Sequence, residues 1–249
     1  MKIAHISLLL ILTATLLQGR AQNTIFLSQG KIEFERRVNQ WSQIESDNDW
    51  SDLQKKTLSQ FKTTYFDMLF TPNKTLYKPG SREGTGNSMG WFSEQPGQDN
   101  IVYNDLENEK STSQKKVFEE TFLVTDSLRK IKWKLTDETR VIAGFNCRRA
   151  NAIIMDSLYV VAFYTDEILT TGGPESFTGL PGMILGIAMP HQHITWFATK
   201  VESVSVADTQ LTPPQKGKKT DNAKLKETLN TAFKDWGKYA QRFIQATLL

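Results

Sequence analysis

The sequence predicts a mainly β protein of the α+β type, with a strongly curved antiparallel sheet or half-barrel, a short N-terminal helix and a long C-terminal helix. Many segments after residue 30 alternate apolar and polar residues with a period of two, which is typical of half-buried strands. Met183–Met189 is a nearly unbroken apolar run, as expected for a strand covered on both faces. Between Asn222 and Leu249, apolar residues recur at steps of three and four, which indicates an amphipathic helix. Such a helix is a common cover for the inner face of a curved sheet.

The 249 residues divide into four predicted segments. Residues 1–21 have the features of a secretory signal in the right order, with Lys2, an apolar stretch and the small-residue exit Gly19-Arg20-Ala21. The other segments are an antiparallel β domain over 22–208, a linker over 209–221 that contains Pro213-Pro214, and the amphipathic helix over 222–249. We therefore expect export to the periplasm or cell envelope, with an extracellular location also open.

Within the β domain, the first elements follow from local patterns. Ile32, Phe34 and Val38 share one face of a strand over 30–40. A short helix is predicted over 49–61, followed by a hairpin over 62–78 that turns at Thr71-Pro72-Asn73. Further strands are predicted over 117–124, 131–135, 141–154, 158–164 and 194–206, with turns at 136–139 and 156–157.

Residues 79–100 are rich in glycine and predict a long loop. Trp91 and Phe92 interrupt its polarity. They either tuck the loop onto the core, which we favour, or form an aromatic lip beside a ligand cleft, since long loops often carry function. With Phe177, these two residues are the candidate ligand-binding set.

Composition and charge exclude several classes of protein. The single cysteine excludes an intrachain disulfide framework and a multi-cysteine zinc site. The net charge of +3 falls to +1 once Lys2 and Arg20 leave with the signal, so there is no electrostatic case for nucleic-acid binding. After the signal, no apolar run is long enough to cross a membrane as a helix. The sequence contains no hydrolase elbow, phosphate loop or dinucleotide fingerprint, and it indicates no cofactor.

Gly179-Leu180-Pro181-Gly182 predicts a tight turn that feeds the buried strand at Met183. Proline fixes φ and glycine accepts a positive φ, which suits the central positions of a type II turn. Physical chemistry alone indicates a structural role for this stretch.

The same stretch resembles the defining motif of the GLPGLI family, exported proteins of Bacteroidota-type bacteria, with Met183 in place of a leucine. Similar motifs occur in order over 118–201, and Phe163 and Leu169 depart from the family's usual tryptophan and proline. The resemblance implies an exported envelope protein and carries no established activity. The residues that we assign to this structural motif are Trp133, Cys147, Gly173, Pro174, Gly179, Leu180, Pro181 and Gly182.

Two groups could carry chemistry. Cys147 could be a nucleophile, but its position on a strand with Phe145 on the same face favours a packed role. His191 and His193 could both face one metal if they lay in a strand, but two ligands make a weak site and a turn is predicted there. We therefore predict no metal and leave both groups as alternatives.

The function that the sequence favours is non-enzymatic binding of an apolar or peptidic ligand, or of an envelope protein partner. Export, abundant aromatic residues and an apolar inner sheet face indicate it. The alternative is a secreted hydrolase or a redox or metal-dependent enzyme that uses Cys147 or the pair His191/His193.

Overall fold

One open sheet of 12 strands dominates the computed structural model, which describes residues 26–44, 49–87 and 95–249. In chain order the strands are β1 (Gly30–Asn39), β2 (Phe61–Phe70), β3 (Lys74–Pro79), β4 (Ile101–Asp105), β5 (Lys110–Val117), β6 (Glu120–Ser127), β7 (Lys134–Ile142), β8 (Phe145–Ile154), β9 (Leu158–Thr165), β10 (Met183–Met189), β11 (Ile194–Glu202) and β12 (Lys218–Thr220). Their order across the sheet is β12-β6-β5-β4-β3-β2-β1-β11-β10-β9-β8-β7. Within the described residues β12 and β7 do not pair with each other, so the sheet stays open, and the predicted mainly β class is confirmed.

Two antiparallel meanders, β1 to β6 and β7 to β11, meet where β1 pairs with β11. Within each meander, strands that are adjacent in sequence are also adjacent in the sheet. The predicted hairpin between β2 and β3 is confirmed, since Phe70 pairs with Thr75 and the N–H of Thr71 donates to the carbonyl oxygen of Lys74 at 2.9 Å. The exception to antiparallel pairing is β12, which lies parallel to β6.

Three local predictions are wrong. The predicted strands over 117–124 and 141–154 each contain a turn, because Phe118 has φ +52° and Ala143-Gly144 has φ +49° and +88°. Two consecutive residues at positive φ make the tight hairpin turn that joins antiparallel strands. Conversely, the predicted turn over 136–139 lies inside β7, where the pairing with β8 shifts register between Leu135 and Thr139.

The first helix, α1 (Asp49–Thr57), precedes β2. The predicted helix extends to Phe61, but that residue begins β2 and pairs with Asn39 of β1. The helix therefore ends at Thr57, four residues earlier than the helical pattern indicates.

The long C-terminal helix predicted over 222–249 is wrong, because the structure has two helices, α2 (Asn222–Ala232) and α3 (Lys238–Thr247). Gly237 separates them with φ +58°, a conformation that an α-helix does not contain. The cap at Asp221 is as predicted: its Oδ1 accepts a hydrogen bond from the N–H of Lys224 at 2.8 Å.

The break folds the apolar stripe back onto the protein's own sheet, as expected for an amphipathic helix that covers a sheet face. Leu225, Leu229 and Phe233 form one cluster with buried residues of β5 and β6. Ile244 of α3 and Leu248, directly after α3, join the same cluster. The ring of Phe118, in the turn between β5 and β6, stacks on Phe243 at a centroid distance of 5.5 Å. A larger core lies among β1, β2 and β8 to β11.

The predicted linker, 209–221, contains regular structure at both ends. A 3-10 turn spans Asp208–Gln210, and β12 pairs with β6 from Lys218 to Thr220. Gly217 has φ +124° and packs against the backbone of β6, so the chain enters the sheet before it reaches α2. None of the helices in the described residues is long and apolar enough to span a membrane.

Candidate functional site

The loop between β9 and β10 carries most of the predicted motif residues and lies in the core. Gly173, Pro174, Phe177 and Leu180 are all buried along it. A Cβ atom on Gly173 would lie 2.8 Å from the Cβ of Ile184 and 2.9 Å from the carbonyl oxygen of Phe177, so the close packing requires glycine. These residues therefore anchor the loop in the core.

Trp133 joins this loop from the segment before β7. Its indole Nε1–H donates to the carbonyl oxygen of Thr178 at 2.9 Å. The next residue, Gly179, has φ +90°, and a Cβ atom there would lie 3.8 Å from Nε1 of Trp133. Two motifs that are separate in the sequence thus meet in one contact.

The turn at Pro181-Gly182 is tighter than the sequence predicts. The N–H of Gly182 donates to the carbonyl oxygen of Leu180 at 2.8 Å, an i to i+2 bond that defines a γ-turn. The predicted type II turn, closed by an i to i+3 bond, is therefore wrong in its hydrogen bonding. Gly182 has φ +137°, so the predicted positive φ is confirmed.

The predicted ligand-binding residues do not meet in one described surface. Phe177 is 0% exposed, so its ring belongs to the core and has no free surface for a ligand. Trp91 and Phe92 lie outside the described residues.

Cys147 is fully buried on β8, in the packed position that the sequence favours. Burial, with the negative charge of Glu167 as a smaller cause, raises the pKa of the Cys147 thiol to about 12. A thiol with this pKa is protonated at neutral pH and is therefore a poor nucleophile.

His191 lies in a 3-10 turn, Pro190–Gln192, and His193 follows it with φ +56°. The strand geometry that would direct both rings to one side is thus not present. Burial lowers the pKa of His193, and the positive charges of Arg242 and His191 lower it further. Within 26–44, 49–87 and 95–249, no three or more His, Cys, Asp or Glu side chains are grouped as metal ligands would be.

A buried charged cluster centres on Glu175, in the loop between β9 and β10. Glu175 is 1% exposed and has φ +52°, a conformation that is uncommon for residues other than glycine. Its Oε2 accepts a hydrogen bond from Nδ2 of Asn100 at 2.8 Å, and its Oε1 has no hydrogen-bond partner among the described residues. Burial raises the pKa of Glu175, and the positive charges of Lys115 and Arg36 oppose this rise.

Arg36, which is 1% exposed on β1, is the second buried charge of this cluster. Its Nη2–H donates to the carbonyl oxygen of Pro96 at 2.8 Å, and its guanidinium carbon lies 5.4 Å from the centre of the Trp196 ring. In the part of the chain that the structure describes, Nε and Nη1 of Arg36 have no hydrogen-bond partner. Burial also raises the pKa of neighbouring Tyr77 well above its ordinary value, so this phenol stays neutral.

Lys115 and Arg129 extend the cluster towards the surface. Lys115 is 2% exposed on β5, and its Nζ donates to the carbonyl oxygen of Thr247 at 3.0 Å. Burial lowers the pKa of Lys115 to about 8. The negative charge of Glu175 opposes this shift, and the positive charge of Arg129 adds to it. Arg129, after β6, donates from Nε to the hydroxyl of Ser176 at 3.1 Å and from Nη2 to the carbonyl oxygen of Leu248 at 2.5 Å.

These two cations line an open cavity of about 280 Å³ at the edge of the cluster. Its wall is made largely of hydroxyl, amide and charged side chains. The lining residues are Val102, Asn104, Ser111, Ser113, Lys115, Asp126, Ser127, Leu128, Arg129, Lys130, Ser176, Asn222 and Leu249. Such a site can hold a polar, hydrogen-bonding ligand. The buried Lys115 and the half-buried Arg129 favour a ligand that carries negative charge.

Part of this cluster was detectable in the sequence. Arg36 lies two residues from both Phe34 and Val38, so the period of two puts it on the buried face of β1. Lys115 likewise alternates with Ser113 and Val117 on one face of β5. Glu175 gave no such signal, because it lies in a loop.

The chain resembles known proteins in sequence and in fold. A family model described as N-glycanase peptide, N-terminal domain, matches residues 96–227. A solved structure of PNGF-II in space group P21 shares 15% identity at a TM-score of 0.50, covering 81% of this chain and 33% of that one. A second, in space group C2, shares 15% identity at a TM-score of 0.51, covering 80% of this chain and 32% of that one.

The likeness to PNGF-II is one of fold, and this chain spans about a third of the length of the PNGF-II chains. No curated protein matches the sequence. The family match includes Lys115, Arg129 and Glu175 and excludes Arg36.

Proposed function

Because this chain belongs to the family of the N-glycanase peptide, N-terminal domain, we propose that it is an exported, non-enzymatic module that binds a peptide carrying an N-linked glycan. The family name links the domain to a glycanase, which supports a ligand with both a peptide part and a sugar part. Since the chain spans only about a third of the PNGF-II chains, the reaction that the name implies is not carried over to it.

The observation that carries the proposal is the polar cavity beside Lys115 and Arg129. Sugars and peptides expose many hydroxyl and amide groups, and the cavity offers matching groups from Asn104, Ser111 and Ser113. Of the ligands that the sequence leaves open, a peptidic one therefore suits this wall better than an apolar one. We further propose that the sheet is curved as a half-barrel.

A secreted enzyme that uses Cys147 or the histidine pair is the weaker alternative. The raised pKa keeps the Cys147 thiol protonated, and a nucleophile needs the thiolate. His191 and His193 lie in a turn and receive no support from a neighbouring carboxylate cluster in the described residues.

Export and an envelope location belong to the same proposal. The signal over 1–21, which lies outside the described residues, and the resemblance to the GLPGLI family both support them. The resemblance to the GLPGLI family remains a prediction and is separate from the family membership stated above. An envelope protein that carries the glycopeptide would be a natural partner of such a module.

The test is calorimetric titration of the full chain with a synthetic peptide that bears one neutral N-linked glycan. The same peptide without its glycan is the matched control. We expect the glycopeptide to bind at least about ten-fold more tightly, a difference of about 1.4 kcal/mol. Mass spectrometry of the recovered glycopeptide should show it intact.

Two outcomes would overturn the proposal. Release of the glycan during incubation would show that the chain is an enzyme. Equal affinity for both peptides, or no binding of either, would show that the glycan is not recognised.

A further inference from the structure

We propose that the cavity beside Lys115 and Arg129 binds an acidic sugar unit, with the sugar's carboxylate on the two cations and its hydroxyls on the serine and asparagine wall. This inference rests on the proposed function and names the part of the glycan that the cavity takes. It assigns a role to buried charges that the fold itself does not explain.

The first support is positive charge that lacks a direct ion pair. Among the described residues neither Lys115 nor Arg129 forms an ion pair, although Lys115 is 2% exposed and Arg129 is half-buried. Glu175 attracts Lys115 and Asp126 attracts Arg129 without a direct ion pair. Each is held by a backbone carbonyl oxygen at the end of α3, which accepts a hydrogen bond but carries no full negative charge. Burying a cation without a directly paired anion is costly, and a carboxylate ligand in contact with the two cations would reduce that cost.

The second support is unused hydrogen-bonding capacity. An ammonium group has three donors, and Nζ of Lys115 uses one of them on Thr247. A bound carboxylate could accept from the other donors of Lys115 and from the remaining guanidinium N–H groups of Arg129.

The third support is the local charge balance, which favours a ligand with one negative charge over a ligand with two. Asp126 also lines the cavity, where its Oδ2 accepts from the backbone N–H and the side-chain amide of Asn222 at 3.1 and 3.0 Å. This carboxylate would repel a phosphate dianion more strongly than a monoanion. Lys130, at the rim, is 3.5 Å from Glu109 and so already has an anionic neighbour.

The fourth support is size and wall chemistry. A volume of about 280 Å³ is slightly below the range of roughly 300–1,000 Å³ typical of small-molecule sites. One sugar ring suits this volume better than a whole glycan does. Ser111, Ser113 and Asn104 supply the hydroxyl and amide groups that pair with ring hydroxyls.

The experiment is titration of the full chain at pH 6.5 with four probes: glucuronate, glucose, acetate and inorganic phosphate. Glucuronate and glucose differ in the carboxylate, and acetate and phosphate report on anion binding without a sugar. We expect glucuronate to bind at least about ten-fold more tightly than each of the other three. Lys115→Met should weaken glucuronate binding by at least about ten-fold, because it keeps the length of the side chain and removes its charge. Lys116→Met, on the exposed face of the same strand, is the matched control and should leave the affinity unchanged.

A second variant keeps the test decisive if Lys115→Met does not fold. Ser113→Ala removes one wall hydroxyl and should weaken glucuronate but not acetate. Equal binding of glucuronate and acetate would leave a simple anion site and overturn the sugar assignment. Binding of phosphate above glucuronate, or no binding of glucuronate, would also overturn it. If the neutral glycopeptide binds while glucuronate does not, the acidic-sugar inference fails and the proposed function stands.

Discussion

Replacing Gly182 by alanine tests the structural role of the Gly-Leu-Pro-Gly turn. Gly182 has φ +137°, and a Cβ atom there would lie 2.0 Å from the carbonyl oxygen of Thr165 and 3.0 Å from the Cα of Asp166. Both are backbone atoms at the end of β9, so no side-chain rotation can relieve the overlap. The strain of alanine at positive φ is about 1 kcal/mol, and moving a packed segment typically adds about 1–3 kcal/mol.

These terms predict that Gly182→Ala lowers the free energy of unfolding by about 3 kcal/mol. For a protein of this size, about 2–4 °C is lost for each kcal/mol, so the melting temperature should fall by about 6–12 °C. Circular dichroism during thermal unfolding measures this fall directly.

Gly179→Ala is the matched control within the same motif. Gly179 also has a positive φ, of +90°, but the nearest atom to a Cβ there is Nε1 of Trp133 at 3.8 Å, an ordinary contact. Only the conformational strain remains, so we expect a loss of about 1 kcal/mol and about 2–4 °C. Equal melting temperatures for the two variants would refute the argument that the approach to Thr165 dominates.

Three further predictions concern the core and its buried charges. Phe233→Ala should destabilise the protein by about 3–5 kcal/mol in urea unfolding, because it leaves a cavity in the cluster between the sheet and α2. Tyr239→Ala is the control: this side chain is 50% exposed, so its removal should change stability by less than about 0.5 kcal/mol. Cys147 should resist a thiol reagent at pH 8 until the protein unfolds, since its pKa is about 12; rapid stoichiometric labelling of the native protein would contradict this. Lys115 has a pKa lowered from 10.5 to about 8, so the folded state binds fewer protons than the unfolded state between these values and stability should rise with pH across that window. In urea titrations, Lys115→Met should lack this rise of stability with pH. Near neutral pH the variant should be more stable by up to about 3 kcal/mol, and the lost attraction to Glu175 reduces this gain. Identical pH profiles for the two proteins would count against a charged, buried Lys115.

Features that arise from short stretches of sequence were predictable. The hairpin at Thr71-Pro72-Asn73, the buried strand at Met183–Met189 and the cap at Asp221 each depend on neighbouring residues alone. Period-two alternation and turn residues determine such elements before any tertiary contact is known.

Errors arose where the backbone changes conformation without a strong local signal. Ala143 and Phe118 both adopt positive φ, which non-glycine residues rarely do. Gly144 is a weak signal for the first turn, and no residue pattern marks the turn at Phe118. The helical stripe over 222–249 continues through Gly237, and a single glycine is tolerated inside many helices. Here the break lets Phe243 and Ile244 return to the cluster that Phe233 already occupies, and this tertiary gain outweighs helical continuity.

The candidate site was missed for a different reason. A charge in an alternating strand is normally assigned to the solvated face, and this assignment fails for Arg36 and Lys115. The two residues lie 79 positions apart on β1 and β5, and only the strand order of the sheet, together with the loop after β9, brings both near Glu175. No local sequence pattern indicates that order of strands.

The same topology ties the site to the C-terminal helices. The carbonyl oxygens of Thr247 and Leu248 hold Lys115 and Arg129 at the cavity, while Leu248 also belongs to the apolar cluster that covers β5 and β6. Removing α2 and α3 would therefore expose the core and release both cations at once, so a truncated chain could not separate loss of fold from loss of binding. Point substitutions can make that separation, because Lys115→Met removes the charge and leaves the apolar cluster intact. The segment at Thr247 and Leu248 thus serves both the fold and the proposed recognition of an acidic sugar. The Leu248 side chain packs in the apolar cluster, and the two carbonyl oxygens hold the cations.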